Sequence, residues 1–380
     1  MAVGGADVSS NIFTTPEWVE FVAATQQAEP VVARVLRGQE HVGWFTGLLV
    51  RRFGVRILGS PFAGWTTGPM GFDLAPGVSR CEATRALIRF AFEDLRCLHV
   101  EMLDRHVADH DLEGLGGRHA SFFTFELDLT PDEDALLKGM SSSCRRALKK
   151  AEREGVLVQE AHGVEFADEY YEQLVDVFEK QGRRPPYDVN RVRHLIRVLE
   201  RTGNLLMLRA VGPGGERMAT GIFPFGDGFA YFWGGASLRR HQIHRPNEAL
   251  FWHAIRCFKE RGIPLLDMGG GGDYKRKFGA QERHIPIMRR SRVPGLMALR
   301  DLAATLYRRK ATGTLTKRAL PRAPRGPAAA DLLPPERAAT APARLWSVAR
   351  SRLLAYRQRL LPVLVPVTEI MEPVAAVGIY

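Results

Sequence analysis

Two periods of apolar residues alternate along this chain, and the places where one gives way to the other mark out its elements. Thr14-Thr15-Pro16-Glu17-Trp18 sets a hydroxyl cap before a proline, and Trp18, Val19, Phe21 and Val22 follow at helical spacing, which predicts a short helix. Val31 to Arg37, His41 to Val50 and Val55 to Leu58 read as strands, with Gly38-Gln39-Glu40 as a turn. A Gly- and Pro-rich loop spans 59–78. A helix over 80–96 carries Ala83, Leu87, Phe90, Ala91 and Leu95 on one side, and Leu98 to Leu103 returns as a strand. The same order then recurs. Asn204 to Val211, Glu216 to Phe225 and Phe229 to Gly235 are strands, 246–261 is a helix, and Pro264 to Met268 is a strand.

One amphipathic helix is expected between the copies, over 130–155. Thr130 is its cap, Pro131 its first residue, Glu133 the partner in a capping box, and Gly155 its stop. Leu136, Leu137, Met140, Cys144, Ala147, Leu148 and Ala151 form the buried stripe. Lys138, Arg145, Arg146, Lys149, Lys150 and Arg153 lie elsewhere on its surface, either as a solvated face or as a cationic one for an anionic substrate or tRNA. The resulting fold class is α/β (α+β), with two tandem domains at 1–128 and 129–290, each a mixed, mainly antiparallel sheet flanked by helices.

Composition narrows the class without choosing a function. With 45% hydrophobic and 25% charged residues the chain is neither disordered nor fibrous. Its four cysteines, 81, 97, 144 and 257, are too dispersed for a C-x-x-C pair and too few to staple 380 residues, so reduced thiols and a cytoplasmic setting are expected. No stretch of 18 apolar residues and no export leader stand out, which points to a soluble or peripheral protein. The net charge of +11 is localised. Residues 289–380 hold 17 Lys+Arg against 5 Asp+Glu, whereas the preceding 288 residues hold 36 against 37. This third segment, 291–380, is rich in Pro, Ala and Arg. It carries two candidate basic amphipathic helices, near 296–310 and 343–361, suited to an anionic membrane surface or nucleic acid, with a disordered tail as the alternative.

Several chemistries lack their signatures. His241 and His244 have no third ligand at metal spacing, no Walker loop or G-x-G-x-x-G is present, and there is no G-x-S-x-G elbow for a nucleophile. Two segments do stand out. In the first, Trp233-Gly234-Gly235-Ala236-Ser237 leads through Arg239, Arg240, His241, His244 and Arg245 into Pro246-Asn247, so basic side chains sit beside a helix N-terminus, as an anion site requires. In the second, Asp267-Met268 is followed by four glycines, 269–272, and then Asp273-Tyr274-Lys275-Arg276-Lys277-Phe278-Gly279. Four glycines in succession carry a large entropy cost unless the loop needs close approach or left-handed dihedrals.

Taken with Ser141-Ser142-Ser143-Cys144-Arg145-Arg146, with Gly-Gly-Ala at 234–236, and with Leu250-Phe251-Trp252, these segments resemble the FemAB-like (BioF2-like) branch of the Gcn5-related N-acyltransferase (GNAT) superfamily over about 130–290. The resemblance implies tandem GNAT-like domains and direct transfer of an acyl group onto an amine of a cell-envelope, peptidoglycan or polysaccharide precursor. The donor would be acyl-CoA such as acetyl-CoA, or alternatively aminoacyl-tRNA, with no metal. A module that binds tRNA or a lipid-linked precursor without turnover is a further alternative. Lys275 takes the place of the family's lysine near the reacting carbonyl. Asp267 (or Asp273) is the candidate proton acceptor or loop anchor, and Tyr274 stands where the family has another aromatic. Gly235, Ala236, Arg239, Arg240, His244 and Asn247 are the expected donor site, although Arg239 to Arg245 lacks the glycines usual in the superfamily's phosphate loop. Arg145, Lys149, Gly270, Gly271, Lys277 and Phe278 are the expected substrate contacts.

Overall fold

The computed structural model describes residues 11–293, apart from 53, 63, 117, 180 and 181, together with a strand at 370–373. These lie in one compact unit, except Val293, which begins a second unit, Val293–Thr368, otherwise outside the described residues. The two basic helices expected near 296–310 and 343–361 fall there.

The first half runs α1 (Pro16–Gln26), β1 (Glu29–Arg37), β2 (Glu40–Arg52), β3 (Val55–Ser60), β4 (Gly71–Leu74), α2 (Arg80–Arg89), β5 (His99–Leu103) and β6 (Arg118–Asp128). The second half runs α3 (Glu133–Gly139), α4 (Ser142–Arg153), β7 (Leu157–Glu160), α5 (Phe166–Glu179), α6 (Val189–Leu199), β8 (Leu205–Val211), β9 (Arg217–Pro224), β10 (Ala230–Tyr231), β11 (Gly234–Ser237), α7 (Pro246–Glu260), β12 (Leu265–Asp267) and β13 (Gln281–Ser291), with β14 (Ile370–Pro373) at the end. Among the described residues the strands make two sheets. One is ordered β10-β12-β6-β13-β5-β3-β2-β1-β14 with β4 paired to β2, and the other β11-β9-β8-β7. Pairing is antiparallel except at β3 with β5 and β10 with β12, each joined by a crossover through a helix.

The structure departs from the sequence reading in three ways. The expected single helix over 130–155 is two, because Asp132 rather than Thr130 caps α3 by accepting from the Ala135 amide, and Ser141 caps α4 by accepting from Cys144. Thr130 instead donates to the Asp128 carboxylate. The break is stabilised by Arg145, whose Nη1 donates to the carbonyls of Leu137, Lys138 and Met140 at the end of α3. Strands β4, β6, β7 and β13 and helices α5 and α6 also appear where the sequence suggested loop or nothing regular. Finally, the single strand expected over Phe229–Gly235 is two strands in different sheets.

That last difference follows from two adjacent aromatics that belong to cores on opposite faces of the second sheet. Phe232 packs on Phe223 and Phe251, in a core built from α3, α4 and α7 with Leu206, Leu208 and Phe258. Trp233 packs on Tyr187 and Phe21, in a core shared by α1, α5 and α6. Covered on both sides, β9 is buried from Met218 to Pro224. A third core, including Phe45, Leu87, Val100 and Met102, lies between α2 and the first-half strands.

Candidate active site

Consecutive backbone amides donate to different sheets at one point in the chain. Phe232 N donates to the Asp267 carbonyl at 2.8 Å, whereas Trp233 N donates to the Ile222 carbonyl at 3.1 Å. β10 therefore pairs with β12 for only two residues, Ala230 with Leu266 and Tyr231 with Asp267, before β11 leaves to pair with β9. The corresponding parallel pair of the first half stays together for four, from Ile57 with His99 to Ser60 with Met102. The second half thus holds a wedge between β11 and the chain beyond β12, and the first half does not. β11 ends its sheet with β9 as its single neighbour, so the backbone groups on its other edge, facing the wedge, are available to an extended ligand.

At one end of the wedge lies the segment that the sequence marked as an anion site. Arg239–His244 forms a 3-10 turn, Arg245 adopts a left-handed conformation, and Pro246 begins α7, whose first turn has no side-chain cap. Asn247 Nδ2 and Gln242 Nε2 both donate to the Ser237 hydroxyl, at 3.0 and 3.2 Å, tying the helix start to the end of β11. Gly235, Arg239, Arg240 and Arg245 are exposed and Ala236 is buried. Arg240 Nε contacts His241, and the Arg239 amide donates to Asp176. His244 is turned away, with Nδ1 2.6 Å from Oε2 of Glu154, just past the end of α4, beside an open cavity of about 390 Å³ lined by Lys150, Glu216 and Met218. The first turn of α7 also carries Glu248, paired with Lys277 at 2.9 Å.

At the other end stands the glycine loop. Asp267, 0% exposed, accepts from Arg105 Nη1 at 2.7 Å through Oδ2, and from the Thr124 hydroxyl and the Gly269 amide through Oδ1. Burial raises its carboxyl above the usual range while Arg105, Thr124 and the Gly269 amide pull it down. With its oxygens spent inside the protein, Asp267 anchors the loop. Lys275, 3% exposed, donates to the carbonyls of Gly269 at 2.8 Å and Gly270 at 3.0 Å. Burial pushes its ammonium down to about 8, with Asp267 opposing. Gly269, Gly271 and Gly272 have φ of +73°, +76° and +82°, and a Cβ on Gly270 would lie 2.7 Å from the Phe123 carbonyl oxygen, so the run of glycines answers to both backbone angle and close approach.

The remaining sequence candidates divide. Tyr274 is 46% exposed and places its ring over Gly272, with Lys275 Nζ and Lys277 Nζ within 6 Å of its centroid. Gly271 is exposed beside it. Phe278 is a core residue packed on Phe251, Lys277 is engaged with Glu248, and Arg145 with the end of α3, so these three serve the scaffold around the loop. Lys149 is exposed on α4. Sequence reading did not single out Arg105 or Thr124, which hold Asp267, nor Tyr170 and Tyr187, whose hydroxyls meet at 2.7 Å against Gly234 where β11 begins. Only a polar run after a strand, Asp104-Arg105-His106, hinted at the first. No group of three metal-ligating side chains occurs among the described residues, and no helix among them is long and apolar enough to cross a membrane.

Residues 138–276 match the family model described as acetyltransferase (GNAT) domain. No curated protein matches the sequence. Among solved structures, FemX is similar with a TM-score of 0.60 at 14% identity, over 72% of this chain and 91% of FemX. L-PGS from Bacillus licheniformis (TM-score 0.46, 11% identity, 80% of this chain and 99% of that one) and a tandem GNAT protein from the clavulanic acid biosynthesis pathway (TM-score 0.44, 14% identity, 74% and 95%) are more distant.

Proposed function

We propose, from the match of residues 138–276 to the acetyltransferase (GNAT) domain model and from a fold similar to that of FemX, that the protein transfers an acyl group from a CoA thioester, laid in the wedge, onto an amine of a cell-envelope or polysaccharide precursor. The observation that carries the reading is the parting of β10–β11 from β12 at Phe232 and Trp233. A pantetheine arm is an extended, amide-bearing chain, and the edge of β11, about 13 Å long at four residues, offers it backbone partners. The phosphates would lie at the uncapped start of α7 beside Arg239, Arg240 and Arg245. That end fits an anion through its amides and exposed guanidiniums, although Glu248 in the same turn opposes it. The acyl end would then reach Gly234 and the glycine loop.

The thioester supplies the activated acyl group, and the chain's own residues supply position and charge. Holding amine and carbonyl together can contribute about 7–11 kcal/mol in well-oriented cases. An ammonium has three N–H donors. Two of those on Lys275 are spent on Gly269 and Gly270, leaving one for the oxyanion that develops as the amine attacks, a contribution of about 2.7–4 kcal/mol by comparison with other oxyanion donors. The attacking amine must be neutral, and water is the acceptor for its proton, since Asp267 is sealed from the wedge.

A second reading is favoured by one feature. Arg146, Lys149 and Arg153 are exposed on α4, which packs against α7, and with Arg239, Arg240 and Arg245 they suit aminoacyl-tRNA as the donor. Thermal stabilisation separates the two. A ligand at 100 times its Kd adds about 2.7 kcal/mol. Stabilisation by acetyl-CoA or longer acyl-CoAs that survives about 0.5 M salt, which screens exposed charges beyond a few ångströms, is the expected result. A response to bulk aminoacyl-tRNA alone, fading with salt, moves the reading to aminoacyl transfer, and no response to either defeats the acyltransferase assignment.

A further inference from the structure

The carboxylate that anchors the glycine loop is itself held from the other half of the chain. Arg105 follows β5 and is 6% exposed. Its Nη1 donates to Asp267, Nη2 donates to Glu126 on β6 at 2.5 Å, and its guanidinium lies 4.4 Å over the Phe229 ring. Its own carbonyl accepts from Arg283 Nη2 at 2.6 Å, and Arg283 Nη1 also pairs with Glu126 at 3.1 Å. A planar fork meets two divergent carboxylates in a way that a single ammonium does not.

Buried charge clusters of this kind are weak evidence for stability, since well-packed apolar side chains of similar volume often serve as well. What the cluster does achieve is orientation. Asp267 clamps the loop on its N–H side at Gly269, and Lys275 clamps it on its C=O side at Gly269 and Gly270. The loop backbone is tied to β6 as well, Met268 N donating to the Phe125 carbonyl at 2.7 Å and Phe125 N to the Gly269 carbonyl at 3.3 Å, but the Asp267 side chain that holds the Gly269 amide is itself held by Arg105 and by Thr124 of β6.

We propose that Arg105 is a positioning residue for acyl transfer: by holding Asp267 it fixes the Gly269 amide and with it the glycine loop, so that the first half of the chain sets the geometry of the second half's site. This rests on the acyl-transfer reading above, and the experiment keeps the two apart. Arg105→Met, Arg105→Lys, Asp267→Asn and the double variant Arg105→Met/Asp267→Asn are compared with the parent by amide hydrogen exchange over 265–275, and by free-thiol release from acetyl-CoA with a panel of amino sugars as acceptors.

Expected are faster exchange at Gly269 and a kcat lower by about 10- to 100-fold in Arg105→Met, the range for displacement of a positioned group by about 1 Å. The KM for acetyl-CoA should change by less than about threefold, since the donor's phosphate end is untouched. Arg105→Lys should recover part of the loss. The double variant should be no worse than Asp267→Asn alone, because Arg105 acts through Asp267. Unchanged exchange at Gly269, or losses that multiply in the double variant, overturns the proposal. If Arg105→Met does not fold, Arg105→Lys and Asp267→Asn carry the same comparison. If the parent releases no thiol, the acyl-CoA reading fails, and hydrogen exchange alone decides whether Arg105 holds the loop.

Discussion

Gly234 begins β11 with Tyr170 directly against it, and replacing it with alanine tests whether the wedge has the shape described. A Cβ there would lie 2.4 Å from the Tyr170 hydroxyl oxygen, but 3.4 Å from the ring carbon that carries it and 3.5 Å from the Tyr187 hydroxyl. Tyr170 cannot swing aside. It is fully buried among the residues of α1, α5 and α6 and hydrogen-bonded to Tyr187. Overpacking of this kind costs about 1–3 kcal/mol, and loss of the tyrosine pair's hydrogen bond about 1 more. Gly234→Ala should therefore lose about 2–4 kcal/mol, roughly 5–15 °C in Tm at 2–4 °C per kcal/mol. Tyr170→Phe removes the clashing atom and should lose about 1 kcal/mol for the hydrogen bond. With the hydroxyl gone the alanine meets only ordinary contacts, so the double variant should resemble Tyr170→Phe. Denaturant melts of the four proteins give the coupling energy, expected at about 2–4 kcal/mol in the direction of rescue. Additive losses would mean that Tyr170 does not sit on β11 as described.

Other consequences concern the loop and its charges. Lys275 is held near 8 by burial, so thiol release should fall as pH rises through about 8 and the ammonium is lost. Lys275→Arg, protonated at every accessible pH, should abolish that alkaline limb, and a limb that persists would remove Lys275 from the chemistry. The same depressed value means that folding stability should rise with pH between about 8 and the ordinary lysine value near 10.4, a slope absent from Lys275→Met in urea melts. Gly270→Ala, meeting a backbone oxygen at 2.7 Å, should lose about 1–3 kcal/mol. Gly271→Ala has open space and only a left-handed φ against it, and should lose about 1 kcal/mol. Thermal melts that rank the two the other way would contradict the loop geometry. Glu248→Gln should tighten acetyl-CoA binding severalfold in calorimetry by removing a negative charge from the first turn of α7, and weaker binding would put the phosphates elsewhere.

How much of this was legible in the residues depended on the range of the interaction involved. Thr15-Pro16 and Pro246 mark helix starts by chemistry acting within one turn, and α1 and α7 begin there. The repeated order of strands and helix, the glycine run after Asp267 and the basic turn before α7 were likewise visible, because period, turn chemistry and charge are local properties. Asp132 took the cap from Thr130 since both offer a side-chain oxygen at almost the same place, and only the path of the chain out of β6 selects between them.

The site itself is a matter of tertiary structure. That Phe232 and Trp233 belong to different cores cannot be read from two adjacent aromatics, and with it goes the parting of the strands that makes the wedge. Asp267 meets Arg105 across 162 residues and Thr124 across 143, pairings set by which strands lie side by side. β6, whose phenylalanine-rich pattern has no clean period, lies between β12 and β13 and supplies Thr124 and Glu126 to the loop's support. The sequence by itself determined the elements and the chemical endowment of the glycine and arginine segments, through interactions a few residues long. Which of those side chains face a ligand and which brace one another was decided only when the sheet brought the two halves together, because burial and long-range hydrogen bonds exist only in the packed chain.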